Sequence, residues 1–224
     1  MNSITVLALV KAPPALIAPS GDKQLASFPV EVCAYKQEDP VMPLQVTAWG
    51  ELAAEAMRTI QLGAYLVLTG RLRIEKNKPL ELQIAQFHQV STPLDRPGIN
   101  VAAIVGRAGR DPEVRYFESG SMVANLTLAV NRRSREDEPD WFNLEIWGRQ
   151  GQIAADYVRR GSLLGITGSL KLDHWTDRST GEARFKPVIK VDRLDLMGRK
   201  QDDDSYAQAI GQQPAPDDDD DIPF

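Results

Sequence analysis

The residues best equipped for chemistry in this chain are its tryptophans, its arginines and a C-terminal peptide. Trp141 and Trp147 bracket the stretch Phe142-Asn143-Leu144-Glu145-Ile146, in which apolar and polar residues alternate. Period two predicts a half-buried strand. With Phe142, Leu144 and Ile146 facing a core, Trp141 and Trp147 share the opposite face with Asn143 and Glu145. Two indoles on a polar face lose stability unless something covers them. Either a loop or a subunit packs there, or the rings form a stacking platform for unpaired bases, each worth about 1–3 kcal/mol. Trp175 stands beside the turn-rich stretch Asp177-Arg178-Ser179-Thr180-Gly181, where no core of its own is available. Arg115, Tyr116, Arg132, Arg133, Arg149, Arg159, Arg160, Lys171, Arg184 and Lys186 surround these rings in sequence. Singly each cation reads as surface charge. Interleaved with aromatics they suit a groove for a single strand, because arginine pairs phosphate and stacks on rings.

The second candidate is the terminus, Asp217, Asp218, Asp219, Asp220 and Asp221 followed by Ile222, Pro223 and Phe224. An acidic run alone reads as a solvated tail. Three apolar residues cannot build a core, and an apolar end gains nothing in water. A terminal Phe with its carboxylate suits a small hydrophobic pocket ringed by basic groups on another protein.

The charge distribution agrees with this division. The net charge is −5, yet residues 1–97 carry 9 basic and 9 acidic groups and residues 98–199 carry 16 and 14. Residues 200–224 carry 1 basic and 8 acidic groups, so the acid is concentrated in the tail. A single cysteine, Cys33, excludes an intramolecular disulfide and a cysteine metal cluster, and reads as a small buried hydrophobe. His88 and His174 are the only histidines. There is no separated carboxylate pair, phosphate loop or nucleophile–base pair, and consecutive aspartates make a poor fixed metal site. The expectation is a chain that is not an enzyme and uses no cofactor or metal. No run of about 18 apolar residues and no basic leader occurs, which together with one cysteine suggests a reduced, cytoplasmic setting.

The elements that must position these groups occur twice. At a spacing of 98, Trp49-Gly50 matches Trp147-Gly148, Gly63 matches Gly161, Gly70 matches Gly168, and Leu72 matches Leu170. Asn2 falls on Asn100, and Phe28-Pro29-Val30 falls on Leu126-Thr127-Leu128. A Pro- and Gly-bearing linker, 91–98, lies between the copies. In the second copy Leu126, Leu128 and Val130 alternate with polar residues, and Gln152 to Arg160 reads helical, with Ile153 and Tyr157 four apart and Gly161 as a stop. Strands resume at Leu164 and again over Phe185 to Leu194. Five strands with the only helix between the third and fourth is the order of an OB-fold barrel. The expected fold is all-β: two tandem five-stranded OB-fold barrels, each with one short helix, over 1–90 and 99–199, then a disordered acidic tail over 200–224. The first copy keeps Trp49, but Pro43 stands where Trp141 does, and Glu75-Lys76-Asn77-Lys78-Pro79 is a short turn where the Trp175 hairpin extends. It reads as a barrel with weaker contacts, kept mainly for assembly.

Residues 99–199 resemble the DNA-binding domain of bacterial single-stranded DNA-binding proteins. The matching stretches are Gly109-Arg110-Asp111-Pro112-Glu113-Val114-Arg115-Tyr116, Val123-Ala124-Asn125-Leu126-Thr127-Leu128-Ala129, Trp147-Gly148, Arg159-Arg160-Gly161-Ser162, Gly168-Ser169-Leu170 and Trp175-Thr176-Asp177. The terminal Asp-Ile-Pro-Phe is similar to that family's partner-binding tip. The resemblance implies that Trp141, Trp147 and Trp175 stack bases while Arg149, Arg160 and Lys171 meet phosphate. It implies a cytoplasmic, nucleoid-associated protein that coats single-stranded DNA in replication, recombination and repair and recruits enzymes through its tip. Where many members carry an aromatic after the second strand, Arg132-Arg133-Ser134 stands here. Single-barrel relatives usually form tetramers and some tandem ones form dimers, so a homodimer presenting four barrels is expected, with a homotetramer as the alternative. An interaction scaffold or auxiliary paralogue with weak DNA binding is the rival reading.

Overall fold

The computed structural model describes residues 1–17, 24–33, 42–75, 78–90, 98–132, 138–176 and 183–198. The first repeat contains β1 (Asn2–Val10), β2 (Ala15–Ile17), β3 (Leu25–Val32), β4 (Met42–Trp49), α1 (Glu51–Thr59), β5 (Tyr65–Arg73) and β6 (Glu81–Val90). The second contains β7 (Asn100–Ala108), β8 (Glu113–Tyr116), β9 (Met122–Val130), β10 (Asp140–Trp147), α2 (Gly148–Tyr157), β11 (Leu163–Thr176) and β12 (Ala183–Leu196). Each repeat adds one short strand, β2 or β8, to the five expected; both sit at the ends of the sheet order. The linker residues 91–97 and the acidic tail lie outside the described residues.

In the first repeat the pairings β1–β3, β3–β4, β4–β6, β6–β5 and β5–β1 close a ring in which only β4–β6 is parallel. The second repeat closes the same circuit through β7, β9, β10, β12 and β11, with β10–β12 parallel. Alternation fills both interiors. Leu126, Leu128 and Val130 from β9 and Phe142, Leu144 and Ile146 from β10 are buried. Ala26, Phe28 and Val30 do the same in β3.

The repeated residues have visible physical work. Asn100 donates from its side chain to the Leu170 carbonyl at 2.7 Å and accepts the Leu170 N–H at 3.0 Å. Asn2 makes the same pair of bonds with Leu72, at 2.7 and 3.2 Å. Each pair sits beside a register shift, between Thr69 and Gly70 in one hairpin and between Thr167 and Gly168 in the other. A Cβ on Gly70 or Gly168 would collide with the carbonyl of Gln83 or Lys190, so only glycine admits this approach. Gly50 and Gly148 follow the tryptophans with φ of 61° and 54°, the left-handed region that lets a strand turn directly into a helix.

The copies are joined through their first strands. β1 and β7 run antiparallel with Ile4 opposite Ala102, Asn2 opposite Ile104 and Val6 opposite Asn100. Ile4 and Ala102 are themselves equivalent by the repeat, so the pairing has the pattern of a two-fold contact made within one chain. A second tie is asymmetric. Buried Asp140 accepts the Arg132 guanidinium at 2.9 Å and also the backbone N–H of Ile74, from the first repeat, at 3.2 Å. Its counterpart in the first copy, Met42, is an ordinary core residue.

Two local expectations change. The helix of the second copy spans Gly148–Tyr157 instead of Gln152–Arg160, because Gly148 starts it directly after Trp147 and the chain is extended again at Val158. Its buried residues are Gly151 and Ala154; Tyr157 is exposed, so the Ile153–Tyr157 pair does not form the core stripe. Cys33 is half-buried, with burial pushing its thiol pKa up.

Candidate nucleic-acid interface

The third long strand of the second repeat presents the aromatic face. β10 pairs along its length with β9, and alternation turns Trp141, Asn143, Glu145 and Trp147 outward. Trp141 is 47% exposed and Trp147 37%, values that leave ring surface open to a flat partner. Six residues of strand separate them by about 20 Å. Trp141 is anchored at one edge: a Cβ on Gly109 would meet its ring and would come within 2.8 Å of Thr127 Oγ1. The neighbouring turn brings a cation to this end, since the Arg160 N–H donates to Asp111 Oδ1 at 2.7 Å and the residue is exposed.

Trp147 is held differently. Its indole N–H donates to Glu145 Oε1 at 2.5 Å, and its ring stacks on Phe117 with centroids 5.5 Å apart and planes 19° from parallel. Glu145 also pairs with Lys171, which in turn reaches Asp173 at 3.0 Å. Burial alone would lower the Lys171 pKa, but bonds to the Glu145 and Asp173 carboxylates raise it above the ordinary lysine value. Lys171 is thus a charged but largely neutralised member of this face. Arg115 lies in the same cross-strand row, opposite Val123, which is opposite Trp147. It pairs with exposed Glu113 at 3.0 Å and lowers that carboxyl's pKa by hydrogen bonding. Arg149 is exposed and makes no ion pair among the described residues.

The remaining cations divide. Arg159 is spent on the end of α2, where its guanidinium donates to the carbonyls of Ala155, Asp156 and Val158 at 3.1, 3.1 and 2.7 Å. This is favourable at the negative end of a helix dipole and leaves little of it for phosphate. Arg132 is engaged with Asp140 in the tie between repeats. Tyr116 is 72% exposed, but alternation sends it to the opposite side of β8 from Arg115. Trp175 is opposite Arg184 near the ends of β11 and β12, beyond the reach of the shorter β5. The Trp175 and Arg184 side chains, Arg133 and the peptide Asp217 to Phe224 lie outside the described residues.

Three participants were missed in the sequence. Phe117 has the same strand parity as Arg115, and that parity was the available signal. Lys190, exposed and opposite Glu145 in the parallel β10–β12 pairing, follows from period two along β12. Period two puts Glu145 on the face of Trp147, two residues away, but nothing in the sequence marks it as the partner of Lys171.

In the first repeat the equivalent face carries Pro43, Gln45, Thr47 and 40%-exposed Trp49. Gln45 donates to Ser27 Oγ at 2.6 Å and Thr47 donates to Glu81 at 2.7 Å. The row that holds Trp49 continues through Leu25 to exposed Ile17. No cation stands in that row.

The model of the single-strand binding protein family matches residues 99–197. A single-stranded DNA-binding protein of Thermosynechococcus vestitus is 61% identical over 117 residues, which cover 52% of this chain and 98% of that protein. Single-stranded DNA-binding protein 1 of Synechocystis sp. is 64% identical over 106 residues, 46% of this chain and 88% of that one. In fold, the crystal structure of the wild-type single-stranded DNA binding protein from Thermus aquaticus superposes with a TM-score of 0.68 at 21% identity, covering 89% of this chain and 94% of its own.

Proposed function

The chain belongs to the single-strand binding protein family, and from that premise we propose that it binds single-stranded DNA without regard to sequence. The observation that carries the reading is the pair of half-exposed tryptophans on the outer face of β10. Each base offers a π-face, so stacking is indifferent to sequence, and exposed cations beside the rings track the phosphates. Trp141 with Arg160, and Trp147 with Arg115 and Arg149, are the two stations. Lys190 joins them in place of Arg159. Trp175 and Arg184 would extend the groove along the β11–β12 hairpin, and Trp49 contributes little.

The unit of function is the second repeat, 99–199, joined through 91–98 to an assembly repeat, 1–90. The tail, 200–224, presents Ile222-Pro223-Phe224 to replication, recombination and repair enzymes after DNA displaces it from the groove. Two chains form the assembly. In support, the outer face of the central strands carries Thr5, Val67, Thr69, Val101, Ala103 and Val105, an uncharged surface suited to a second copy. Light scattering should give twice the 24.8 kDa chain mass.

The test is a tryptophan-fluorescence titration of the full chain with oligo-dT at several salt concentrations, with duplex DNA as control. Strong quenching by single strands only, weakening with salt as counterion release requires, supports the proposal. A folded protein that is not quenched and does not retain oligo-dT refutes it, and the tail would then be the chief functional element.

A further inference from the structure

The stacked pair Phe117–Trp147 bears on how the groove takes its bases. Phe117 opens the turn between β8 and β9, and its ring lies against the exposed indole. A base between two rings needs about 7 Å between their planes, two van der Waals contacts. Here the centroids are 5.5 Å apart, so no base fits between them. One face of Trp147 is therefore occupied by the protein itself. On this face of Trp147, a base must either displace Phe117 or stack on its outer side.

The turn favours the second course. The Phe117 N–H donates to the Ser121 carbonyl, and the Gly120 N–H donates to the Phe117 carbonyl, both at 2.9 Å. Gly120 supplies the positive φ of 78° that closes the turn, and the Ser119 and Ser121 hydroxyls bond at 2.6 Å. The opposite ring is fixed through its indole N–H to Glu145. Both rings are held in place, and Phe117 remains 46% exposed. Arg115, two residues before it, and Arg149, two residues after Trp147, are both exposed and supply positive charge to this end of the face.

We propose that Phe117 is itself a base-stacking position of the groove, taking a base on its outer face while Trp147 serves as its backing. This rests on the single-strand reading above. It makes the Trp147 station a two-ring platform and places the contacting ring on the β8–β9 turn.

The experiment compares the full chain with Phe117→Leu, which keeps apolar bulk without the ring, and with Phe117→Ala, in oligo-dT titrations. Both variants should bind about fivefold or more weakly, the loss of one stacked base. Photocrosslinking with a 5-iododeoxyuridine oligonucleotide, mapped by mass spectrometry, should place an adduct on Phe117. Wild-type binding that is matched or exceeded by Phe117→Leu overturns the proposal, tighter binding marking Phe117 as a plug on Trp147. An adduct on Trp147 with none on Phe117 overturns it equally. Wild-type protein that fails to bind oligo-dT overturns the single-strand reading and this proposal together.

Discussion

Set side by side, β4 and β10 occupy equivalent places in equivalent barrels yet carry different outer faces. On β10 the row through Trp147 runs to Val123 and Arg115; on β4 the row through Trp49 runs to Leu25 and Ile17. Trp141 is matched by Pro43, and the Glu145–Lys171 pair by a neutral-donor bond from Thr47 to Glu81. The framework is shared at its critical points: Asn2 and Asn100 clamp the same bulge, and Gly50 and Gly148 turn the same corner. Folding constrains the interior and the bulges, where a wrong residue collides or leaves a polar group unpaired. It leaves the outer face free, and the two faces have diverged there.

The largest expected effect breaks the tie between the copies. Asp140→Ala removes a buried acceptor of both the Arg132 guanidinium and the Ile74 N–H, and should cost about 3 kcal/mol of stability. Urea denaturation measures it, and an unchanged midpoint would mean the asymmetric contact is dispensable. Next comes the contrast between faces. Trp141→Ala and Trp147→Ala should each weaken oligo-dT binding by about 1–3 kcal/mol, and Trp49→Ala by less than about 0.5 kcal/mol. Equal losses for Trp49 and Trp147 would erase the functional asymmetry. The framework should behave in the opposite way: Asn2→Ala and Asn100→Ala each remove two side-chain bonds to backbone and should each cost about 1–2 kcal/mol. Unequal melting shifts would show that one barrel carries the stability of the pair.

The smallest effect concerns pH. The folded Lys171 pKa is raised, so its contribution is complete below the ordinary lysine range and is lost as pH rises through the folded value. Between neutral and strongly alkaline pH, wild-type protein should lose slightly more stability than Lys171→Met, because the variant has no such pairing to lose. Parallel denaturation curves at both pH values test this. A constant difference would indicate that Lys171 is not paired in solution.

Much of this was legible in the chain. Alternation placed Phe142, Leu144 and Ile146 inside and both tryptophans outside, because strand geometry forces successive side chains to opposite faces. The 98-residue spacing showed the duplication because each matched glycine answers a backbone need that both copies share, a positive φ or a close approach of the next strand. The helix begins four residues before the expected Gln152, because left-handed Gly148 lets the chain turn into it directly after Trp147. Arg159 and Arg160 are adjacent, identical in type and both exposed, so the sequence cannot tell them apart, but the Arg159 guanidinium is bonded to carbonyls at the end of α2.

What the sequence determined by itself was therefore periodic or local: strands, turns, the repeated framework and which rings face outward. Tertiary structure decided the pairings between distant residues. Lys171 meeting Glu145, Asp140 reaching Ile74, and Phe117 lying on Trp147 each join separate segments or separate repeats. The physical reason is that a side chain's partner is set by the register and curvature of closed barrels. Neither is encoded in the spacing of the residues that finally meet.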